Sequence, residues 1–214
     1  MIDLLPKAIE EYCEAHTSRE AELLHKIYRH THLRHSRPRM LSGQLLGELL
    51  AMFVRWRQPR RVLEVGAFTG YATISMAWAM PTDAILHTIE KEDELEDELR
   101  AHFKLAGVSE QIMLHVGAAL EIIPRLNETW DFVLLDADKT EYLACYELLL
   151  PRMSSNALIL ADNVLWSGKV IEDTPRPDKE TLATRAFNQK IQEDPRVRNL
   201  LLPFRDGLMI IEKL

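Results

Sequence analysis

Cysteine is almost missing from this chain: Cys13 and Cys145 are the only two in 214 residues. Two thiols make neither a disulfide framework nor a metal-binding spacing, so a reducing compartment, the cytosol, is the expected setting. Long apolar runs are missing too. None approaches the roughly 20 residues of a membrane span, and Met1-Ile2-Asp3-Leu4-Leu5-Pro6 lacks the basic start and apolar stretch of a secretory leader. Positive charge is scarce overall, 26 Lys and Arg against 33 Asp and Glu, for a net charge of −7. That excludes a chain basic throughout, although a local basic patch remains compatible with it. There is no internal repeat, low-complexity tract or linker. What is present is apolar content of 47%, enough for one sizeable core and one domain over residues 1–214.

Residues 1–57 show helical periodicity and no strand alternation, and are expected to form a helical cap on an α/β core at 58–214. Thr17-Ser18-Arg19-Glu20 has capping-box spacing ahead of a helix carrying Leu23, Leu24, Ile27 and Tyr28. Ser42 is expected to cap a second helix with Leu45, Leu46, Leu49, Leu50, Phe53 and Val54 on its apolar face. Beyond Pro59 the period changes. Strands are expected at 62–65, 84–89, 112–116, 130–135 and 157–161, with helices at 69–80, 92–106, 118–126, 142–150 and 181–192. The end, 200–204 and 208–212 around Arg205-Asp206-Gly207, reads as an antiparallel hairpin with an Asp-Gly turn. Alternation of this kind gives a parallel sheet covered on both faces, here with a reversed strand at or near one edge.

In such a sheet ligands collect at the carboxyl ends of the strands. Gly66 lets backbone approach a ligand and Gly70 opens the next helix. Their G-x-x-x-G spacing differs from the G-x-G-x-x-G of a pyrophosphate cradle, so a nucleoside without a diphosphate fits better. Glu90, 24 residues after Gly66, ends the second strand, where a carboxylate can accept both ribose hydroxyls. The plainer alternatives are a tight βα turn and a helix-start acid.

Asp136 ends the fourth strand and Asp162 the fifth. On neighbouring strands they would lie about 5 Å apart, two repelling carboxylates in want of a cation. With Asn163 they make an all-oxygen set suited to magnesium, calcium or another hard ion such as manganese. Lys139, in Asp136-Ala137-Asp138-Lys139, is a candidate general base, its charged form disfavoured beside a dication. The alternatives are helix-capping acids and a surface lysine paired to Asp138.

V-L-E-V-G-A-F-T-G-Y, I-E-K, D-A-D-K, A-D-N-V-L-W-S-G and the final P-F-R-D-G-L together resemble the metal-dependent O-methyltransferases of the catechol and caffeoyl-CoA type, bacterial branch. The resemblance runs from about Met40 to the C-terminus. It implies the Rossmann-like seven-stranded methyltransferase sheet with a reversed last strand, and S-adenosylmethionine as methyl donor. It also implies that Glu64, Gly66, Ala67 and Ala72 shape the donor pocket, with Glu90 on the ribose and Ala119 by the adenine. Ser42 would approach from the cap, and Asp136 and Asp138 would lie near the donor. Asp136, Asp162 and Asn163 would hold the metal, Lys139 and Asp136 would be catalytic, and Trp166 and Ser167 would line the acceptor site with Lys139. Ala72 stands where many relatives carry serine, and Ser167 where plant enzymes carry asparagine. Leu200-Leu201-Leu202 occupies the region of a glutamate in the mammalian catechol enzyme. The implied acceptor is a small vicinal dihydroxy aromatic, and the family is often homodimeric, with the N-terminal helices as the contact.

Residues 25–39 hold five Lys or Arg, four His and no acid. A solvated helix face is one reading, and its spacing fixes no shared ligand face for a second metal. A phosphate-binding patch is the other. It would suit a transfer RNA carrying hydroxyuridine, which some relatives methylate, or a coenzyme A thioester. A catalytically silent donor-binding protein is opposed by the intact Asp136, Lys139, Asp162 and Asn163 set. An NAD-dependent dehydrogenase is opposed by the glycine spacing.

Overall fold

The structure is a computed structural model that describes residues 6–214. Seven strands form one sheet in the order β3-β2-β1-β4-β5-β7-β6, with β1 Arg61–Val65, β2 Ile85–Glu90, β3 Ile112–Val116, β4 Trp130–Leu135, β5 Met153–Asp162, β6 Val197–Leu202 and β7 Leu208–Lys213. This is the expected α/β methyltransferase architecture with a reversed last strand. The helices are α1 Lys7–Ala15, α2 Glu22–Arg34, α3 Gly43–Arg57, α4 Tyr71–Ala77, α5 Glu96–Ala106, α6 Ala119–Ile122, α7 Tyr142–Leu149 and α8 Lys179–Glu193. The chain divides into two compact units, Lys7–Ala118 and Ala119–Leu214.

In the first unit β1, β2 and β3 pair in parallel. Helix α3 buries Leu46, Leu50 and Val54, four residues apart on one stripe, together with Gly47 and Ala51. It stops at Gln58, in the left-handed region with φ 48°, and Pro59 follows. Helix α5 buries Leu99 and Phe103, carries Glu96, Asp97 and Glu98 in its first turn and Lys104 in its last, and ends on left-handed Gly107. Two expected caps are not formed. Helix α2 starts at Glu22 without a side-chain cap. Glu20 is drawn away to accept from the Tyr71 hydroxyl at 2.5 Å and to meet His25 at 2.9 Å. Ser42 precedes α3, but itself has helical dihedrals and makes no capping bond.

In the second unit β4 and β5 are parallel, and β7 is antiparallel to both β5 and β6. Strand β5 starts at 153, earlier than the expected 157, because a register shift between Trp130 and Phe132 and left-handed Asn156 (φ 59°) break its alternation. The expected helix at 118–126 is only α6 and a 3-10 turn, Ile123–Arg125, since Pro124 has no N–H to continue it. Strand β6 likewise ends before Pro203 rather than running to 204. Leu202 pairs with Leu208, so the connection is a five-residue loop rather than a two-residue Asp-Gly turn. Asp178 caps α8 by accepting from the Thr181 N–H at 2.7 Å.

The reversed β7 matters for placement. Asp162 at the end of β5 pairs with Leu208 at the start of β7, so the loops 163–168 and 203–207 emerge side by side. Val164 N–H donates to Gly207 O at 3.1 Å and Leu165 N–H to Asp206 O at 2.8 Å. A Cβ on Gly207 would stand 2.4 Å from Leu165 Cγ and 2.7 Å from Leu165 N, at a φ of +90°. Gly207→Ala is therefore expected to cost about 2–4 kcal/mol, combining left-handed strain with overpacking. Urea unfolding at constant m-value measures it, and a change under about 0.5 kcal/mol, the scale of a neutral surface substitution, would contradict the close approach.

Candidate active site

The later parts of β4 and β5, residues 132–135 and 157–161, are apolar and buried, and each run is followed by an acid. Asp162 is 1% exposed. Its Oδ1 accepts from the N–H of Asn163 at 2.9 Å, and its Oδ2 lies 3.4 Å from Arg205 Nη1. Asp136 has its carboxyl pushed up to about 6, first by burial and then by the charge of Asp162, with Lys139 and Arg205 opposing. Lys139 is only 5% exposed. Its Nζ lies 2.5 Å from the Tyr142 hydroxyl, 3.5 Å from Asn163 Oδ1 and 3.8 Å from Asp136 Oδ1. It turns to these groups and not to Asp138, whose Oδ1 instead caps the following turn through Thr140 N and Oγ1. Burial lowers the Lys139 pKa, against the upward pull of Asp136 and Asp162.

The sequence places Tyr142 only within a helix. Its buried hydroxyl lies 2.9 Å from Leu135 O and 3.0 Å from Asp162 O, the last carbonyls of β4 and β5. A phenol has one proton to donate, so it donates to one of these carbonyls while accepting from Lys139. Burial raises its own pKa, and Asp136 and Asp162 add to that. The sequence assigns no role to Arg205 and Asp206, which stand within P-F-R-D-G-L. Their signal was two charges beside a glycine turn. Asp206 Oδ1 accepts from Ser167 N–H at 2.5 Å, and burial raises its pKa.

The segment after β5 is unusual in its backbone. Asn163, Trp166 and Ser167 have φ values of 57°, 49° and 52°, a conformation that costs L-residues about 1–2 kcal/mol each. The 203–207 loop offsets this strain, helped by Asn188 Nδ2 donating to Val164 O at 2.8 Å. The Trp166 ring lies 6.0 Å from Lys139 Nζ and 5.9 Å from Lys169 Nζ, and its buried indole N–H has no partner among the described residues. That is a donor aimed at nothing the described residues supply.

The residues expected at the donor are placed as follows. In the Lys7–Ala118 unit Gly66 has φ 101° and donates to Ile89 O at 2.9 Å, making a sharp exit from β1. Glu90 is 7% exposed. Its Oε2 accepts from Phe68 N–H at 2.7 Å and its Oε1 from Glu92 N–H at 2.9 Å. Two backbone donors fix the carboxylate and leave lone pairs for a diol. Glu64 is fully buried, and its Oε2 accepts from Thr73 and Thr88 hydroxyls, each at 2.5 Å; it braces the wall beneath the turn. Ala67, Ala72 and Ser42 are buried here, and Ala119 is buried at the start of α6 in the other unit.

Asp136, Asp162 and Asn163 offer oxygen ligands, and a carboxyl held up near 6 by burial and then by the charge of its neighbour is what a dication relieves. The residues fit a hard divalent ion. The fixed Glu90 carboxylate and the left-handed Gly66 turn fit a nucleoside.

A family model described as O-methyltransferase matches residues 14–214. The chain is 28% identical over 212 residues to a probable caffeoyl-CoA O-methyltransferase 2 of Dictyostelium discoideum, covering 97% of this chain and 92% of that one. Among solved structures it is similar to the O-methyltransferase TomG of Streptomyces achromogenes, involved in tomaymycin synthesis and in complex with SAM, at 29% identity, a TM-score of 0.87 and 96% of both chains. It is also similar to the SAH-bound methyltransferase PaMTH1 of Podospora anserina, at 27% identity, a TM-score of 0.90 and 100% of both chains.

Tyr142→Phe keeps the ring and deletes the hydroxyl, leaving a buried carbonyl and the Lys139 ammonium short of a partner. The expected loss is about 1–3 kcal/mol of stability, measured by urea unfolding. A change under about 0.5 kcal/mol would show that the hydroxyl ties nothing together.

Proposed function

The chain belongs to the O-methyltransferase family of the caffeoyl-CoA and catechol type and is an S-adenosylmethionine-dependent O-methyltransferase, and on that premise we propose that it methylates a hydroxyl of a small vicinal dihydroxy aromatic. The observation that carries this reading is Lys139, buried with its Nζ against the oxygens of Asp136 and Asn163. A lysine in that position could receive a proton from an acceptor hydroxyl brought up to the ion those oxygens would hold.

In this reading Asp136, Asp162 and Asn163 hold a divalent ion, magnesium for preference over calcium or manganese. When bound, the ion stabilises the acceptor oxyanion and gives two adjacent hydroxyls a common anchor. S-adenosylmethionine supplies the methyl group as an electrophilic sulfonium and leaves as a neutral thioether. The chain's own residues do the rest. In the Lys7–Ala118 unit Glu90 accepts the ribose hydroxyls, with Gly66 and Ala67 giving backbone access beside Ser42, Glu64 and Ala72; in the Ala119–Leu214 unit Ala119, Asp136 and Asp138 are the donor-side candidates. Lys139 Nζ takes the acceptor proton as the oxygen–carbon bond forms. Tyr142 holds that nitrogen in place through its own hydroxyl. Trp166 walls the acceptor with its ring and offers its indole N–H, and Ser167 flanks it.

The transfer RNA reading is weakened by how residues 25–39 are used. Lys26 pairs with Glu22, His25 with Glu20, and His30 and His35 with Glu98, so part of the segment's basic charge is already answered by acids. A homodimer through the N-terminal helices is also proposed, supported by Tyr12 and Trp56, exposed on α1 and α3. A monomeric sedimentation profile would reject it.

Radiolabelled methyl transfer to catechols, caffeoyl thioesters and bulk transfer RNA, with and without magnesium, tests the acceptor. Label on catechol alone is expected, and label on RNA alone would overturn the small-molecule reading. Asp162→Ala should abolish metal-dependent turnover while leaving donor binding largely intact; full activity in excess chelator would defeat the metal assignment. Because the Asp136 carboxyl is raised to about 6, protons compete with the ion as pH falls through that value. Magnesium affinity should therefore weaken below pH of about 6 and be flat above about 7.5. Calorimetry in two buffers of different ionisation enthalpy should register proton release at the lower pH only.

A further inference from the structure

The basic, histidine-bearing segment at 25–39 is the one sequence feature that methyl transfer does not absorb. On a continuous helix His30 and His35 would point about 140° apart, which gives them no common face. Helix α2, however, ends at Arg34. His35 is extended, with φ −97° and ψ 144°, and its N–H still caps Thr31 O. This turn brings its ring back toward His30, with the ring centroids 6.4 Å apart. Glu98, in the first turn of α5, meets both. His35 Nε2 lies 3.0 Å from Glu98 Oε2 and 3.2 Å from Oε1, and His30 Nε2 lies 3.7 Å from Oε1.

We propose that His30, His35 and Glu98 form a zinc site in the Lys7–Ala118 unit. One donor atom from each lies within 4.8 Å of the other two. Zinc bonds of about 2.05 Å set a tetrahedral ligand–ligand edge of about 3.3 Å, so both histidine–carboxylate separations are already near the required value. The remaining closure falls to His30, whose half-exposed side chain is free to shift and leaves the fourth position open to water. Two imidazoles and one carboxylate suit zinc, whereas magnesium prefers oxygen throughout. A simple His–Glu ion pair needs one histidine; here two converge on one carboxylate from different backbone segments.

The frame around these ligands is set independently of any ion. Thr31 Oγ1 bonds Thr69 Oγ1 at 3.0 Å in the buried interior, and His102, on the same helix as Glu98, reaches Thr69 O through Nδ1 at 2.9 Å. The His102 ring stands edge-on to His30 with centroids 6.3 Å apart. Zinc at this position staples α2 to α5 beside the turn that follows β1. The His35 ring packs edge-on against Phe68 at 5.4 Å, and Phe68 N–H is one of the two donors that fix Glu90.

The test uses the full chain, stripped of metal and returned to excess magnesium so that the acidic oxygens at 136 and 162 are satisfied. Zinc is then titrated by equilibrium dialysis, and X-ray absorption at the zinc edge reports the ligands. Wild type and Asp162→Ala are expected to hold one zinc per chain with imidazole scattering. His30→Ala, His35→Ala and Glu98→Gln are expected to bind it at least 10–100-fold more weakly, the loss that follows even from removing an outer-shell partner. Zinc should also raise the melting temperature of wild type and not of His30→Ala, a surface change that leaves folding intact. Retention of zinc by the histidine variants, its loss in Asp162→Ala alone, or no zinc held by wild type at micromolar concentration would each overturn the assignment.

Discussion

Four buried or half-buried charges at the ends of β4 and β5 set the terms for the second unit. Asp136 and Asp162 repel each other, and in the protein alone Lys139 and Arg205 are what answer them. Burying any one of these without its partners would be costly, so their side chains must converge, and the backbone around them is shaped to make that happen. Tyr142 fixes Lys139 from below, and Arg205 reaches Asp162 from the β6–β7 loop. On the proposed reading the same balance would make the cluster receptive: a dication held by these oxygens would take over the work of the lysine and leave that nitrogen able to accept a proton.

The reversed β7 follows from this requirement. A parallel β7 would send its preceding loop to the opposite end of the sheet, away from Asp162. Antiparallel pairing with β5 places residues 203–207 against 163–168, where Gly207 and Asp206 carbonyls take the N–H groups of Val164 and Leu165. Three non-glycine residues with positive φ in the 163–168 segment are a local cost of a few kcal/mol, sustained because the neighbouring loop over-determines the path. Strain of this size sits next to a buried charge cluster and an indole N–H that has no partner among the described residues, which supports the proposed acceptor site.

Much of this was legible in the sequence. The strand ends at Asp136 and Asp162, the glycine turn at Gly66 and the placement of Glu90 at the end of β2 all follow from apolar runs that stop at a charged or flexible residue. Less legible were features that depend on partners distant in the chain. The Glu20 carboxylate looked like half of a capping box, but it is claimed by Tyr71, 51 residues away. Ser42 looked like a cap and is already helical. Asn156 interrupts the alternation of β5 and hides its first residues, and the exposed residues of β6 hide its period and its start. The functions of Tyr142 and Arg205 lay beyond reach, since neither a helix tyrosine nor a loop arginine announces which carbonyl or carboxylate it will meet.

The two buried glutamates of the first unit show why residue type at a strand end does not by itself define a role. Glu64 and Glu90 both sit on adjacent parallel strands and both are nearly inaccessible. Glu64 is two positions short of the turn and has two threonine hydroxyls on one oxygen, which makes it a brace. Glu90 is the last residue of its strand and is held only by backbone N–H groups, one on each oxygen. Backbone donors aim a carboxylate without covering its remaining lone pairs, so only Glu90 is both fixed and available. The proposed acceptor side is built differently. Trp166 and Ser167 lie on a loop, and Leu200 is exposed on the terminal hairpin, positions where a substitution disturbs little of the core. Chemistry anchored at rigid strand ends and recognition carried on loops can change independently.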